Sequence, residues 1–232
     1  MKKYALTIFI VAMLSPALSL ADATPNVIYW NSAAGKILRA RMPANADYWQ
    51  LAPAFTVQMT QSYCGVASAI TVLNAMPINK PVNPAYAPHA YFTQSNFFSA
   101  EVAKIIPAQT VLKMGMTRDE MSAALIRHGV KATSIAGDSI DDNALRNLLK
   151  KTLGEDGQFV LVNFLRANLG QVGGGHWSVL AAYDAESDSV LLLDVAKYKY
   201  TPAWVGIHTL QQAINTTDTT SNKPRGLVIV SN

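Results

Sequence analysis

The sequence predicts an α+β domain in which helices come first along the chain and an antiparallel sheet follows. Between residues 64 and 154, apolar residues recur at helical spacing and polar capping residues precede them. From Gln158 onward, short apolar runs are separated by polar or glycine-rich turns, a pattern typical of antiparallel strands. Helices followed by strands indicate segregated layers rather than alternating βαβ units.

The first 21 residues read as a secretory signal peptide. Lys2 and Lys3 are followed by an apolar run over residues 5–14, and Ser19-Leu20-Ala21 has the small-x-small form of a cleavage site. The apolar run is too short to span a bilayer, and no later stretch is long enough. We therefore predict one domain over residues 22–232, exported to the periplasm or secreted, with no membrane association after cleavage near Ala21.

Composition excludes several classes of function. After removal of Lys2 and Lys3, 17 basic residues stand against 15 acidic ones, a net charge of +2, and no Lys/Arg block is present. Nucleic acid is therefore not an expected partner. The single cysteine cannot form an internal disulfide, so its thiol is either buried or used. A homodimer is compatible with the sequence.

Each element has a local reason. Residues 22–54 read as irregular, with short strands at 26–30 and 36–38. Helix signals follow over residues 65–76, 99–106, 117–129 and 139–154. A capping box is predicted at Thr117-Glu120, and His128 is predicted to be a solvated residue at a helix end. Strands are predicted at 130–136, 159–165, 176–183, 190–195 and 226–230. Residues 78–90 form a loop, and the aromatic residues of 91–98 are expected to pack.

Cys64 lies at the start of the first long helix. Free backbone N–H groups and the helix dipole stabilise an anion there, which lowers the pKa of a thiol. A lone cysteine is more often a small buried apolar residue. The remaining polar motifs decide between the two interpretations.

A histidine and a carboxylate flank the predicted hairpin of the sheet. His176 opens one strand and Asp194 ends the next, and a turn near residues 185–187 brings Asp194 within about one to three positions of His176. Asp194 would orient one ring nitrogen and leave the other for Cys64. Gln58 would supply a side-chain N–H that, with the backbone N–H of Cys64, forms an oxyanion hole. Taken singly, His176 and Asp194 could be structural, but the order Gln–Cys–His–Asp is that of papain-like cysteine enzymes.

Five separated blocks resemble the phytochelatin synthase family. They are Phe55–Gln58 with Tyr63–Ser68 and Val72–Asn74, then Tyr91–Phe98, Asn163–Arg166, Gly174–Ser178, and Leu192–Tyr200 through Trp204-Val205. The resemblance covers most of residues 25–231, and the chain looks like the short, single-domain bacterial form of the family.

The resemblance implies a papain-like fold, with a helical lobe carrying Cys64 packed on an antiparallel sheet carrying His176 and Asp194. It implies glutathione and related γ-glutamyl thiols as substrates, with a γ-glutamylcysteinyl thioester formed on Cys64. Gly175 would let the substrate backbone pass close to His176. Asp218 and Arg225 would hold the γ-glutamyl group, although they could equally pair with each other. No resident metal or cofactor is implied, and heavy-metal ions would enter as metal–thiolate co-substrates or activators.

Three positions depart from the family pattern. Val179 and Thr201 stand where proline is usual, and Lys197 replaces an arginine that would bind substrate. Lysine cannot make a bidentate fork to a carboxylate. We therefore expect water to be favoured over a second glutathione as acyl acceptor, giving γ-glutamylcysteine rather than phytochelatins.

Two alternatives share parts of this pattern. A papain-like peptidase of the bacteriocin-leader-processing type shares the Gln–Cys-Gly and Gly-His-Trp motifs and the following Asp, but not the Asn96-Phe97-Phe98 block or the 194–200 stretch. A non-catalytic thiol or metal chaperone would need a better ligand set than one cysteine and four scattered histidines.

Overall fold

A seven-stranded antiparallel sheet forms the centre of the computed structural model, which describes residues 27–232. Its strand order is β1-β6-β5-β4-β3-β9-β2, and every neighbouring pair is antiparallel. The strands are β1 (Val27–Tyr29), β2 (Lys131–Ala136), β3 (Gln158–Leu165), β4 (Gly175–Asp184), β5 (Ser189–Leu193), β6 (Ala203–Gly206) and β9 (Gly226–Ser231), and a separate ribbon pairs β7 (Thr217–Asp218) with β8 (Lys223–Pro224).

Eight α-helices lie within the described residues. They are α1 (Ala33–Ala40), α2 (Tyr48–Leu51), α3 (Cys64–Ala75), α4 (Ala100–Ala103), α5 (Ala108–Met114), α6 (Arg118–Arg127), α7 (Asp142–Thr152) and α8 (Ile207–Ile214). None of the helices in residues 27–232 has both the length and the apolar composition needed to cross a bilayer. The predicted signal sequence lies outside the described residues.

The sheet separates two apolar cores. Alternate residues of β4 face opposite sides, so Trp177 and Val179 join the core beneath α3 while Leu180 joins the core beneath α7 and α8. Because both faces are covered, β3, β4 and β5 are buried along nearly their whole length.

Helix α3 is a core helix rather than an amphipathic surface helix. Every residue from Cys64 to Leu73 is buried. Close packing at its first turn favours Gly65, since a Cβ atom there would lie 3.1 Å from Met121 Cε and 3.3 Å from Trp177 Cδ1. Cys64 is thereby held at the point where the helix begins, against the start of β4.

The predicted α+β class is confirmed, and so are most elements. The Thr117-Glu120 capping box and the β4–β5 hairpin are both present. Residues 36–38, predicted as a strand, belong to α1 instead, because Ser32 caps a helix whose buried residues Gly35 and Leu38 are three apart. His128 is the C-cap of α6 as predicted, but its ring is not solvated, since it packs against Phe92 and Phe97.

Candidate active site

Cys64 is a buried thiol at a helix N-terminus. Burial raises the pKa of this thiol, but the charge of His176 and hydrogen bonds from His176 and from the backbone of Trp177 and Gly65 outweigh that effect, so its pKa is lowered overall. Helix start, partner charge and backbone donors thus all favour the thiolate.

His176 connects the thiol to a carboxylate. Its Nε2 lies 2.8 Å from Asp194 Oδ1, which leaves Nδ1 available to the Cys64 thiol. Burial lowers the pKa of His176, yet the charge of Cys64 and the hydrogen bond to Asp194 raise it above the ordinary value on balance. A thiol with a lowered pKa beside an imidazole with a raised one is the signature of a thiolate–imidazolium pair.

The hairpin register accounts for the contact between His176 and Asp194. Val179 pairs with Leu193, so continuation of the register sets Asp194 opposite Ser178, two positions from His176. This agrees with the range expected from the turn. The Asp194 carboxylate is almost fully buried and therefore needs several donors.

Arg166 supplies donors that the sequence analysis did not assign. Its Nη1 and Nη2 lie 2.8 and 3.0 Å from the two Asp194 oxygens, and Nη1 also donates to Gln171. The backbone N–H of Ala196 adds a further bond to Asp194. Burial raises the pKa of Asp194, but the hydrogen bonds and charges of His176 and Arg166 lower it to about 2. The sequence feature that could have identified Arg166 is its position as a charged residue directly after the apolar strand β3.

Gln58 is buried near His176, but its amide donors are already engaged. Its Nε2 donates to Thr60 O at 2.8 Å and to Tyr198 Oη at 3.0 Å. Its backbone N–H donates to Val195 O, which ties the segment before α3 to the residue after Asp194. The predicted oxyanion donor is therefore close to the site but occupied.

Two cavities meet at Gly175 and His176. The first, of about 130 Å³, is lined by Cys64 and by residues 114–116, 218–220, Asn163 and Arg225. The second, of about 230 Å³, is lined by Gln58, Gln61, Arg166, Tyr198 and Lys199, among others. We call them the thiol-side cavity and the glutamine-side cavity.

Arg225 and Asp218 share the thiol-side cavity and face each other. Arg225 Nη1 donates to Asn163 Oδ1 at 2.7 Å, while Nη2 lies 3.6 Å from Asp218 Oδ1. Arg225 Nε is buried without a hydrogen-bond partner among the described residues. Gly175 permits this packing, because a Cβ atom there would overlap the Arg225 guanidinium. The cavity thus presents a cation, an anion and an amide within reach of Cys64.

Lys197, predicted to bind substrate, is not among the residues lining either cavity. Its Nζ donates to Phe55 O at 2.8 Å and lies 4.0 Å from the centre of the Phe55 ring. Lys199 lines the glutamine-side cavity instead and donates to Val172 O. Within residues 27–232, no cluster of three or more His, Cys, Asp or Glu residues has the spacing of a metal site.

Comparison with known proteins gives consistent matches. The family model described as phytochelatin synthase matches residues 19–227. Proteins named glutathione gamma-glutamylcysteinyltransferase 1 from Triticum aestivum and Arabidopsis thaliana are 30% and 29% identical over 90% of this chain. The chain spans 41% and 42% of their lengths. A Schizosaccharomyces pombe enzyme of the same name is 23% identical over 87% of the chain.

Several solved structures are also similar to this chain. A C39-like peptidase from Bacillus anthracis aligns with 77% of this chain and 93% of its own, with 15% identity and a TM-score of 0.40.

Proposed function

Because the chain belongs to the phytochelatin synthase family, we propose that it cleaves the Cys–Gly bond of glutathione through a γ-glutamylcysteinyl thioester on Cys64. The observation that carries the proposal is the Cys64–His176–Asp194 array, which opens onto a cavity containing Arg225, Asp218 and Asn163.

The chemistry divides between the thiol and the imidazole. The Cys64 thiolate attacks the carbonyl carbon of the scissile bond, and His176 gives its proton to the departing glycine nitrogen. His176 then accepts a proton from the acceptor, which attacks the thioester. Asp194 keeps the ring oriented throughout, since it is itself held by Arg166.

The γ-glutamyl end of the substrate suits the thiol-side cavity. Its α-carboxylate matches the Arg225 guanidinium and its α-ammonium matches Asp218. Arg225 Nη2 and Asp218 Oδ1 lie 3.6 Å apart, which is longer than a good charge-assisted hydrogen bond. A zwitterion in this cavity would give each of the two groups a partner of opposite charge.

Water is the favoured acceptor in this proposal. The support is the position of Lys197, whose ammonium is bound to Phe55 O rather than directed into either cavity. A second glutathione thus lacks the contact that residue 197 would provide. Heavy-metal ions would enter only as metal–thiolate co-substrates or activators. The protein would act in the periplasm, as the N-terminal segment predicts.

Mass spectrometry of the mature protein incubated with glutathione tests the proposal. We expect glycine release and an adduct on Cys64 of the mass of a γ-glutamylcysteinyl group, with neither in Cys64→Ala. Longer γ-Glu-Cys oligomers as the main product would refute the preference for water. A folded protein with no adduct and no glycine would refute glutathione cleavage and direct the search to peptide substrates.

A further inference from the structure

The oxyanion donor proposed for this site has no free N–H. Gln58 is 4% exposed, and its two amide protons point to Thr60 O and Tyr198 Oη. Its Oε1 is buried with no hydrogen-bond partner among the described residues, so the side chain is held through its nitrogen alone. A substrate oxygen that uses this nitrogen must replace one of the two acceptors.

The two acceptors, Thr60 O and Tyr198 Oη, differ in how easily each can move away from Gln58 Nε2. Thr60 O also accepts from Tyr63 N at 3.2 Å, within the turn that leads into α3, so it is fixed by the backbone. Tyr198 is 62% exposed and reaches Gln58 from the residues after Asp194. Its ring can turn into water without opening a void in the core.

We propose that Tyr198 is a removable cap on the oxyanion donor. Its phenolic oxygen holds the Gln58 N–H in the resting enzyme, and the carbonyl oxygen of the acyl donor replaces it as the tetrahedral intermediate forms. This inference rests on the proposed acyl-transfer chemistry but not on glutathione as the acyl donor. An acyl group gains full stabilisation of its oxyanion only if it displaces the phenol.

A small activated ester gives a test that is independent of glutathione. With p-nitrophenyl acetate, Cys64 Sγ attacks the ester carbonyl, the carbon–oxygen bond breaks, and p-nitrophenolate leaves as the acetyl group becomes a thioester on Cys64. The pre-steady-state release of nitrophenolate therefore measures acylation. Tyr198→Phe keeps the ring and removes the competing oxygen.

We expect acylation in Tyr198→Phe to be about 3- to 10-fold faster, the range that corresponds to one ordinary hydrogen bond. Tyr86→Phe is the matched control, because Tyr86 is 52% exposed and lies in the 84–86 turn, and it should leave the rate unchanged. Alkylation of Cys64 by iodoacetamide needs no oxyanion donor, so it should be the same in Tyr198→Phe and the unsubstituted protein.

A double-mutant cycle distinguishes whether Tyr198 blocks the Gln58 N–H or supports the Gln58 side chain. In a Gln58→Ala background, Tyr198→Phe should have no effect on acylation, since the donor that it uncovers is absent. Slower acylation in the single Tyr198→Phe variant would mean that the hydroxyl supports Gln58 or donates to the oxyanion, and it would overturn the inference. An unchanged rate would overturn it as well. Normal ester acylation without glutathione cleavage would refute the proposed substrate and leave the cap intact.

Discussion

Replacement of Arg166 should reveal how far the Cys64–His176 pair depends on its buried support. Arg166→Met removes the cation but keeps much of the side-chain volume. Arg166→Lys keeps a charge but cannot supply two parallel N–H donors to Asp194. Comparison of the two variants therefore separates the contribution of charge from that of geometry.

The expected loss of stability in Arg166→Met follows from the burial of the Arg166–Asp194 pair. Arg166 and Asp194 side chains are 4% and 1% exposed, and removal of one partner from such a pair typically costs about 3–5 kcal/mol. At about 2–4 °C per kcal/mol for a chain of this size, the melting temperature of Arg166→Met should fall by roughly 6–20 °C. Loosening of the His176 ring by a fraction of an ångström should reduce kcat/KM by up to about 100-fold.

The pH dependence of Cys64 alkylation distinguishes a positioning role from a stabilising one. A buried cation favours deprotonated neighbours, so its removal raises the pKa of the Cys64 thiol. The acidic limb of the alkylation rate, measured with iodoacetamide below the melting temperature, should move to higher pH in Arg166→Met. In Arg166→Lys the limb should stay near its original position while kcat/KM still falls.

Two results would contradict this reasoning. An Arg166→Met protein with unchanged kcat/KM would show that Ala196 N and the hairpin alone orient Asp194. Equal loss of kcat/KM with no shift of the acidic limb in either variant would show that Arg166 acts only through folding stability.

Two further predictions concern Gly175 and Asp47. Gly175→Ala should displace the Arg225 guanidinium and raise the KM for glutathione at least 10-fold in steady-state kinetics. The effect on the rate of Cys64 alkylation by iodoacetamide should be smaller. An unchanged KM would exclude Arg225 from substrate binding. Burial raises the pKa of Asp47 from 3.8 to about 7, so between these values the folded state keeps a proton that the unfolded state loses. The free energy of unfolding should therefore fall as pH rises from about 4 to 7, by up to about 1.4 kcal/mol per pH unit. Urea unfolding of Asp47→Asn should show a flatter profile, and parallel profiles for the two proteins would refute the assignment.

The sequence was sufficient to predict that Cys64, His176 and Asp194 lie close together, because each residue carries a local signal. Cys64 follows a polar turn and opens an apolar helix, and the short turn after Asp184 limits where Asp194 can lie relative to His176. Both inferences use only residues that are close together in the sequence, and the β4–β5 register agrees with the second one.

Groups that depend on distant pairing were not predictable in the same way. Arg166 is 28 residues from Asp194, and their contact requires the β3–β4 and β4–β5 registers together. Lys197 and Lys199 are equally basic in the sequence. In the fold, Lys197 lies on the Phe55 ring, whereas Lys199 lines the glutamine-side cavity, and this difference depends on contacts with residues distant in the sequence.

The position of His176 between the two cavities has a consequence for the proposed reaction. If the acyl group occupies the thiol-side cavity beside Arg225, the leaving glycine and the incoming acceptor must both reach the same imidazole from the other side, because His176 donates the first proton and accepts the second. That side is the glutamine-side cavity, which contains Gln58, Tyr198 and Lys199. On the proposed mechanism, the choice between water and a thiol would be made in this cavity. Substitutions of Tyr198 should therefore change the ratio of products, whereas substitutions of Arg225 should change the affinity for the acyl donor.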